Sequence, residues 1–268
     1  MQHTIGYNYR DILKSRKTKK DYPHVAVLNR KLDIVRLQDE ISALLLANSA
    51  DSNTTETHYR LNKVNGAKFI KDYETVIKNY SSITFHKITK HAEDYATSIS
   101  KTIDEFSPLD RLKGMVDTGS KFYHPLYDER NYTELTSHAT GYIKEILEGF
   151  ESTSCRAAIV VLRPGQRISR HFDIGPDFII RLQIPIFTNT ECSMGFKTHN
   201  GWAQYHLPAD GSMYAVNAGV EHWAMNTGAS TRFQLRICLT SQEDTNNMHE
   251  LAPTSFITDN EFNGHLCS

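Results

Sequence analysis

HWAMNTGASTRFQLRICL, residues 222–239, is the stretch that decides the fold class. Residues 222–226 and 231–239 are short β-prone runs joined through Thr227-Gly228, a turn signal. The second run alternates cleanly. Phe233, Leu235, Ile237 and Leu239 take one face, and Arg232, Gln234, Arg236 and Cys238 take the other, as residues two apart must on a pleated strand. The same period of two extends back to Cys155. Residues 157–162 form a continuous apolar run that breaks at Pro164-Gly165, and 178–187 is apolar except for Arg181 and Gln183. Runs 192–198 and 202–207 flank Asn200-Gly201, a dipeptide favoured in type I′ hairpins. Asp210-Gly211 marks a further turn before 213–216. Seven or eight short strands separated by turn signals predict a sandwich or jelly roll. The expected fold is mainly β with flanking helices: a double-stranded β-helix, cupin-like in form.

Within this region His171, Asp173 and His222 form a pattern with chemical content. His-x-Asp on one strand places both side chains on one face, and a second His follows about fifty residues later. Two imidazoles and a carboxylate on one face of an ion leave adjacent sites open, which suits non-haem Fe(II) oxygen chemistry. A structural zinc site closes its sphere with four ligands, usually including closely spaced cysteines, and Cys155, Cys192, Cys238 and Cys267 are far apart. The competing His91-Ala92-Glu93 reads as helix, where a two-residue step turns the side chains roughly 200° apart. Arg232, on the strand after His222, can hold the far carboxylate of a chelating 2-oxo acid with its bidentate fork. Arg236 sits about 13 Å further along the strand, at ~3.3 Å per residue, too far to share that carboxylate. Arg181 interrupts an apolar strand, and a buried Arg is rarely left unpaired. It is expected to meet an anion, either a protein carboxylate or the co-substrate.

Composition excludes several classes. The formal charge is -1 over 268 residues, which gives no electrostatic footprint for nucleic acid or an anionic membrane. No apolar run approaches the roughly 18 residues of a membrane span. The first nine residues are polar, so no signal peptide is expected, and scattered cysteines fit buried thiols in a reducing, cytoplasmic compartment.

The chain divides into a helix-rich front and a strand-rich back without a Pro/Gly/Ser linker. Residues 24–28 read as a short edge strand. Asp33 reads as an N-cap before Ile34, Leu37, Ile41, Leu44 and Leu45 at helical spacing. Further helical patterns cover 67–80, 88–106 and 133–150, with Ile83 and Phe85 alternating as a strand between the first two. The expected organisation is a helix-rich portion, 1–150, packed on the barrel, a catalytic double-stranded β-helix, 151–245, and a C-terminal extension, 246–268.

Several short motifs occur in order: Leu162-Arg163-Pro164-Gly165, His171-Phe172-Asp173, Arg181-Leu182-Gln183-Ile184-Pro185, Tyr205-His206-Leu207-Pro208 and Glu221-His222-Trp223-Ala224-Met225-Asn226. In these the chain resembles the aspartyl/asparaginyl β-hydroxylase family of Fe(II)/2-oxoglutarate dioxygenases, which includes bacterial proline hydroxylases. The resemblance covers roughly 142–240. It implies that His171, Asp173 and His222 bind iron, that Arg232 binds the distal carboxylate of 2-oxoglutarate, and that Arg181 lies by its other end. Asp173 makes the chain more similar to the bacterial members, because the animal enzymes lack the carboxylate ligand. Gln183 stands where the family often has His.

The expected reaction is oxidative decarboxylation of 2-oxoglutarate by O2, coupled to hydroxylation of an unactivated C–H bond. The substrate expected is an amino acid or a similar molecule, free or within a peptide or protein. Arg163, Arg170, Arg236 and Trp223 are the candidate substrate residues. Two rival readings are a non-catalytic metal-binding jelly roll that senses a ligand, and a cupin dioxygenase that works without 2-oxoglutarate. Arg232 argues against both.

Overall fold

Residues 20–50, 60–64, 67–71, 83–98, 123, 125 and 128–266 are described by a computed structural model of the chain. Eight strands carry the barrel: β6 (Ser154–Leu162), β7 (Arg167–His171), β8 (Ile180–Phe187), β9 (Cys192–Thr198), β10 (Gly201–Tyr205), β11 (Ser212–Val216), β12 (His222–Asn226) and β13 (Arg232–Leu239). One sheet contains β11-β8-β13-β6 and the facing sheet contains β10-β9-β12-β7. The chain thus crosses repeatedly between sheets, and strands far apart in sequence become neighbours. β13 lies between β6 and β8, and β12 lies between β7 and β9. This winding is a double-stranded β-helix, as the turn spacing predicts.

Segments outside 151–245 extend both sheets. β1 (Val25–Lys31) pairs β11 on one side and β14 (Met248–Glu250) on the other, and β15 (Ser255–Ile257) pairs β10. The edge strand expected at 24–28 is therefore interior, because β14 covers its free side. β2 (Arg60–Val64) and β3 (Ala67–Lys71) form a separate hairpin. The helix expected over 67–80 is replaced at its start by that strand, and 72–80 lies outside the described residues. The pattern over 88–106 yields a helix at Lys90–Ser98, and the rest lies outside the described residues. Within 133–150 the helix is shorter, Gly141–Glu148, and β5 (Glu134–Leu135) before it pairs β4 (His86–Lys87).

Asp33 caps the long helix Ile34–Ala50 as expected, its carboxylate accepting from the Arg36 amide at 3.0 Å. Glu40 on that helix accepts from the Tyr142 and Ile143 amides at 2.7 and 3.2 Å, satisfying donors that Thr140 leaves without a side-chain cap. Leu37, Ile41, Ile143 and Ile146 of the two helices share one buried cluster with Phe233, Leu235, Ile237 and Leu239 of β13. Each such side chain contributes about 1.5–3 kcal/mol of burial. The outer face of the sheet is therefore the apolar one. Arg232, Gln234 and Arg236 on the opposite face point into the barrel.

The β9–β10 hairpin corrects the expected turn by one residue. Gly201 pairs Thr198, so His199 and Asn200 are the two loop residues. Gly201 itself has φ +129, and a Cβ there would lie 2.3 Å from the Ile257 carbonyl oxygen on β15. Close approach of β15 requires glycine at this position.

Candidate metal centre and its cavities

β7 and β12 are antiparallel neighbours, and their register sets His171 directly opposite His222. The two rings lie 4.2 Å apart between centroids. Asp173 follows the end of β7, its amide held by the Ala218 carbonyl at 2.9 Å. Asp173 Oδ2 then stands 3.8 Å from His171 Nε2 and 4.0 Å from His222 Nε2. One ligand atom from each of the three residues lies within 4.8 Å of the others, the only such cluster among the described residues.

The imidazoles are oriented for coordination. His171 Nδ1 donates to the Ser169 carbonyl at 2.7 Å and His222 Nδ1 to the Val220 carbonyl at 2.9 Å. A carbonyl only accepts, so the proton sits on Nδ1 and the Nε2 lone pair faces the cluster. Burial lowers the His222 pKa to about 4, which keeps the ring neutral as a ligand must be. Phe196 stacks on His222 at 5.7 Å between centroids. Behind it Trp223, buried among Trp202 and Phe262, leans on Gly195, where a Cβ would come 2.1 Å from the indole. Trp223 is thus chiefly a wall residue, though it is among the residues that line the inner cavity.

Arg181 meets protein carboxylates. Nη1 donates to Asp173 Oδ2, and Nη2 donates to both oxygens of Glu129 at 3.0 and 3.2 Å. Glu129 is 5% exposed. It also pairs with Arg156 at 3.2 Å and accepts from the Cys238 thiol at 3.2 Å. Burial works to raise the Glu129 carboxyl, but Arg181, Arg156 and Arg236 prevail and hold it at about 2. Sequence reading missed Glu129 and Arg156. A lone Arg in an apolar strand announced that some carboxylate was needed, but nothing in the local sequence marks which.

Two cavities meet at the cluster. An inner one of about 100 Å³ is bounded by Gln183, Gln234, Arg232 and the three clustered residues. At roughly 10–15 Å³ per water position it has room for several waters. An outer cleft of about 870 Å³ is lined by His86, Glu129, Tyr132, Arg156, Arg167 and others, and shares His171, Asp173, Arg181 and Arg236 with the inner one. Arg232 is 4% exposed, its Nε has no hydrogen-bond partner, and no carboxylate pairs with it among the described residues. Burial pulls its guanidinium below the ordinary range. Gln183 and Gln234 also leave their side-chain oxygens without partners. Such orphaned buried groups, concentrated around one small cavity, mark a place for a polar ligand. Arg163 and Arg170 are not brought there. Neither lines either of these cavities, and Arg170 lies over the Phe262 ring at 5.5 Å on the outside.

Two histidines and a carboxylate converging inside a double-stranded β-helix make a candidate metal centre in a jelly roll. The donor set fits iron by its chemistry: two neutral imidazole nitrogens and one carboxylate, with space on the cavity side for further ligands. The family model for aspartyl/asparaginyl β-hydroxylase matches residues 115–241, so the similarity read from the motifs holds over that stretch. The match supports an oxygenase of hydroxylase type.

Solved structures similar to this chain include a 2OG-Fe(II) oxygenase family oxidoreductase from Burkholderia pseudomallei, at 15% identity and TM-score 0.33, covering 46% of this chain and 66% of that one. Another is the capsular polysaccharide assembling protein CapF from Staphylococcus aureus, at 9% identity and TM-score 0.25, covering 38% and 32%. A third is AviO1 from Streptomyces viridochromogenes Tue57, at 11% identity and TM-score 0.38, covering 95% and 100%. The double-stranded β-helix is read from the strand order of the two sheets. No curated protein matches the chain. No helix among the described residues is long and apolar enough to cross a membrane.

Proposed function

We propose that the protein is an Fe(II)- and 2-oxoglutarate-dependent hydroxylase acting on a C–H bond of an amino acid or amino-acid-like substrate. One observation carries the reading: the His171, Asp173 and His222 cluster opens onto a small cavity containing Arg232, a buried cation with no carboxylate partner among the described residues. In this reading the three clustered residues hold the iron. Arg232 takes the distal carboxylate of 2-oxoglutarate, and Gln183 offers a polar contact in the same cavity. The iron, when bound, supplies the activation of O2 that couples decarboxylation of the 2-oxo acid to oxidation of the substrate.

The chain's own residues do the rest. The backbone carbonyls of Ser169 and Val220 fix the imidazole tautomers. Arg181 orients Asp173, and the apolar walls from Val160, Ile168, Met194 and Val216 limit water in the inner cavity. The outer cleft is the place for the oxidised substrate. Buried free thiols at Cys155, Cys192 and Cys238 suit a reducing compartment such as the cytoplasm.

The test is the 2-oxoglutarate dependence of binding and turnover in Arg232→Ala and Arg232→Lys. Removing one partner of a buried charge pair costs about 2–5 kcal/mol, so the affinity for 2-oxoglutarate falls roughly 30-fold or more at ~1.4 kcal/mol per decade. Lysine recovers part of it, since a point charge does not reproduce the bidentate fork. Mn(II) affinity, measured as a redox-inert stand-in, stays close to the wild-type value. Unchanged 2-oxoglutarate affinity in Arg232→Ala rejects the assignment of Arg232.

A further inference from the structure

We infer that Arg236 is a second anion site, distinct from Arg232, which takes the free carboxylate of the primary substrate. The substrate is then a small molecule with an ionised carboxyl group and not a residue internal to a polypeptide. The inference rests on the proposed function and narrows its substrate.

Four arginines line the outer cleft; Arg167 has no buried atom lacking a hydrogen-bond partner, and the other three are not equivalent. Arg181 and Arg156 are committed to Glu129 and Asp173. Arg236 has neither. No carboxylate oxygen of the described residues lies within ion-pair distance of it, and its Nε is buried without a hydrogen-bond partner. Burial pulls its guanidinium below the ordinary range, and the neighbouring Arg181 and Arg156 pull the same way. Glu129 attracts it from a distance while already serving two closer arginines. A guanidinium stays charged regardless, so this is a half-buried cation beside two others, offset in part by Glu129. Such a group destabilises the fold unless an anion reaches it.

Its position says which anion. Arg236 stands opposite Ala158 on β6 and Gln183 on β8, and it borders both cavities, as His171 and Asp173 do. Arg232 borders the inner cavity but not the outer cleft. Four residues of strand separate the two arginines, about 13 Å at ~3.3 Å per residue. One small dicarboxylate anchored at Arg232 and chelating the metal does not also satisfy Arg236. The remaining unbalanced charge therefore faces the outer cleft, where the substrate enters. The interior of a polypeptide offers carboxylates only on Asp and Glu side chains, whereas every free amino acid carries one; α-amides, which keep the side chain and lose the α-carboxylate, tell the two apart.

The experiment compares wild type with Arg236→Gln and Arg236→Lys, loaded with Mn(II) and 2-oxoglutarate under anaerobic conditions. Thermal midpoints are recorded with pools of the common L-amino acids and with the same compounds as C-terminal amides. At least one pool of free acids raises the wild-type midpoint and its amide counterpart does not. Arg236→Gln weakens that acid at least 10-fold, and Arg236→Lys lies between. Without added amino acid, Arg236→Gln is as stable as wild type or more so, because a half-buried charge without an ion-pair partner among the described residues has been removed. Mn(II) and 2-oxoglutarate affinities stay within about 2-fold. Amides that bind as well as acids, or pools that all fail to bind, overturn the inference. So does Arg236→Gln binding acids normally or melting well below wild type. If Arg236→Gln loses 2-oxoglutarate affinity, Arg236 belongs to the co-substrate and the inference is wrong. If wild type binds no 2-oxoglutarate at all, the proposed function itself fails.

Discussion

Replacing Glu129 with glutamine removes one negative charge while nearly preserving side-chain shape, and the structure sets the size of the response. Glu129 is buried, receives Arg181 at 3.0 and 3.2 Å and Arg156 at 3.2 Å, and accepts from Cys238. Arg156, Arg181 and Arg236 face Glu129 and Asp173, three cations against two anions. The substitution takes the cluster from +1 to +2. Removing one partner of a buried pair costs about 3–5 kcal/mol, and for chains of this size each kcal/mol moves Tm by about 2–4 °C. The expected fall in Tm is therefore roughly 6–20 °C.

The same change reaches the metal. Arg181 bridges Glu129 and Asp173. Released from Glu129, it concentrates its charge on Asp173 and competes with a cation for that carboxylate. Loss of such an outer contact typically weakens metal binding about 10–100-fold. Calorimetry on the metal-free protein and Mn(II) titration measure the two effects separately. Glu129→Gln combined with Arg181→Met should regain much of the lost stability, since the stranded charge goes with its partner. A Tm within about 2 °C of wild type, together with unchanged Mn(II) affinity, refutes the view that Glu129 anchors Arg181 and through it Asp173.

Further consequences concern His86 and Gly195. His86 Nδ1 accepts from the Ala157 amide at 3.0 Å, and burial lowers its pKa to about 4. Protonation sets two donors against each other. Because the folded pKa lies below the unfolded 6.5, the unfolded state binds more protons between pH 6.5 and 4, and metal-free stability falls as pH drops through that window. His86→Asn keeps an acceptor that does not titrate, so denaturation midpoints against pH should flatten there; an unchanged slope contradicts the account. Gly195→Ala drives a Cβ into Trp223, an overpacking cost of about 1–3 kcal/mol. Trp fluorescence should shift and Mn(II) affinity should fall through displacement of the adjoining His222; a silent substitution in both readouts refutes the wall role.

The strand 231–239 was legible because period two fixes which residues share a face, and two arginines and a glutamine on one face of an otherwise apolar strand point to a polar interior. His171, Asp173 and His222 were legible as residue types in order along the chain, although β7 ends at His171 and Asp173 is held beyond it by the Ala218 carbonyl. What failed was non-local. β1 is interior because β14 joins it from more than 200 residues away, a pairing with no local signature. The one-residue shift at Gly201 comes from β15 pressing on the hairpin, which overrides the preference of Asn-Gly. The strand at Ala67–Lys71 shows that helical spacing in a short window is weak evidence against hairpin pairing. Glu129 was invisible because its meaning comes from Arg181, 52 residues later. Arg163 and Arg170 were drawn in by sequence proximity to the ligands; Arg163 lies in the turn after β6, and Arg170 on β7 lies over the Phe262 ring.

Anaerobic addition of Fe(II) and 2-oxoglutarate, followed by visible absorption, tests the central claim most directly. Chelation of Fe(II) by a 2-oxo acid gives a charge-transfer band that neither component shows alone. The account predicts the band in wild type and its loss in His171→Ala, Asp173→Ala and His222→Ala, with the fold retained by circular dichroism. In Arg232→Ala it should return only at roughly 30-fold more 2-oxoglutarate or beyond. Absence of the band in folded wild-type protein, or its persistence in all three ligand variants, contradicts the account.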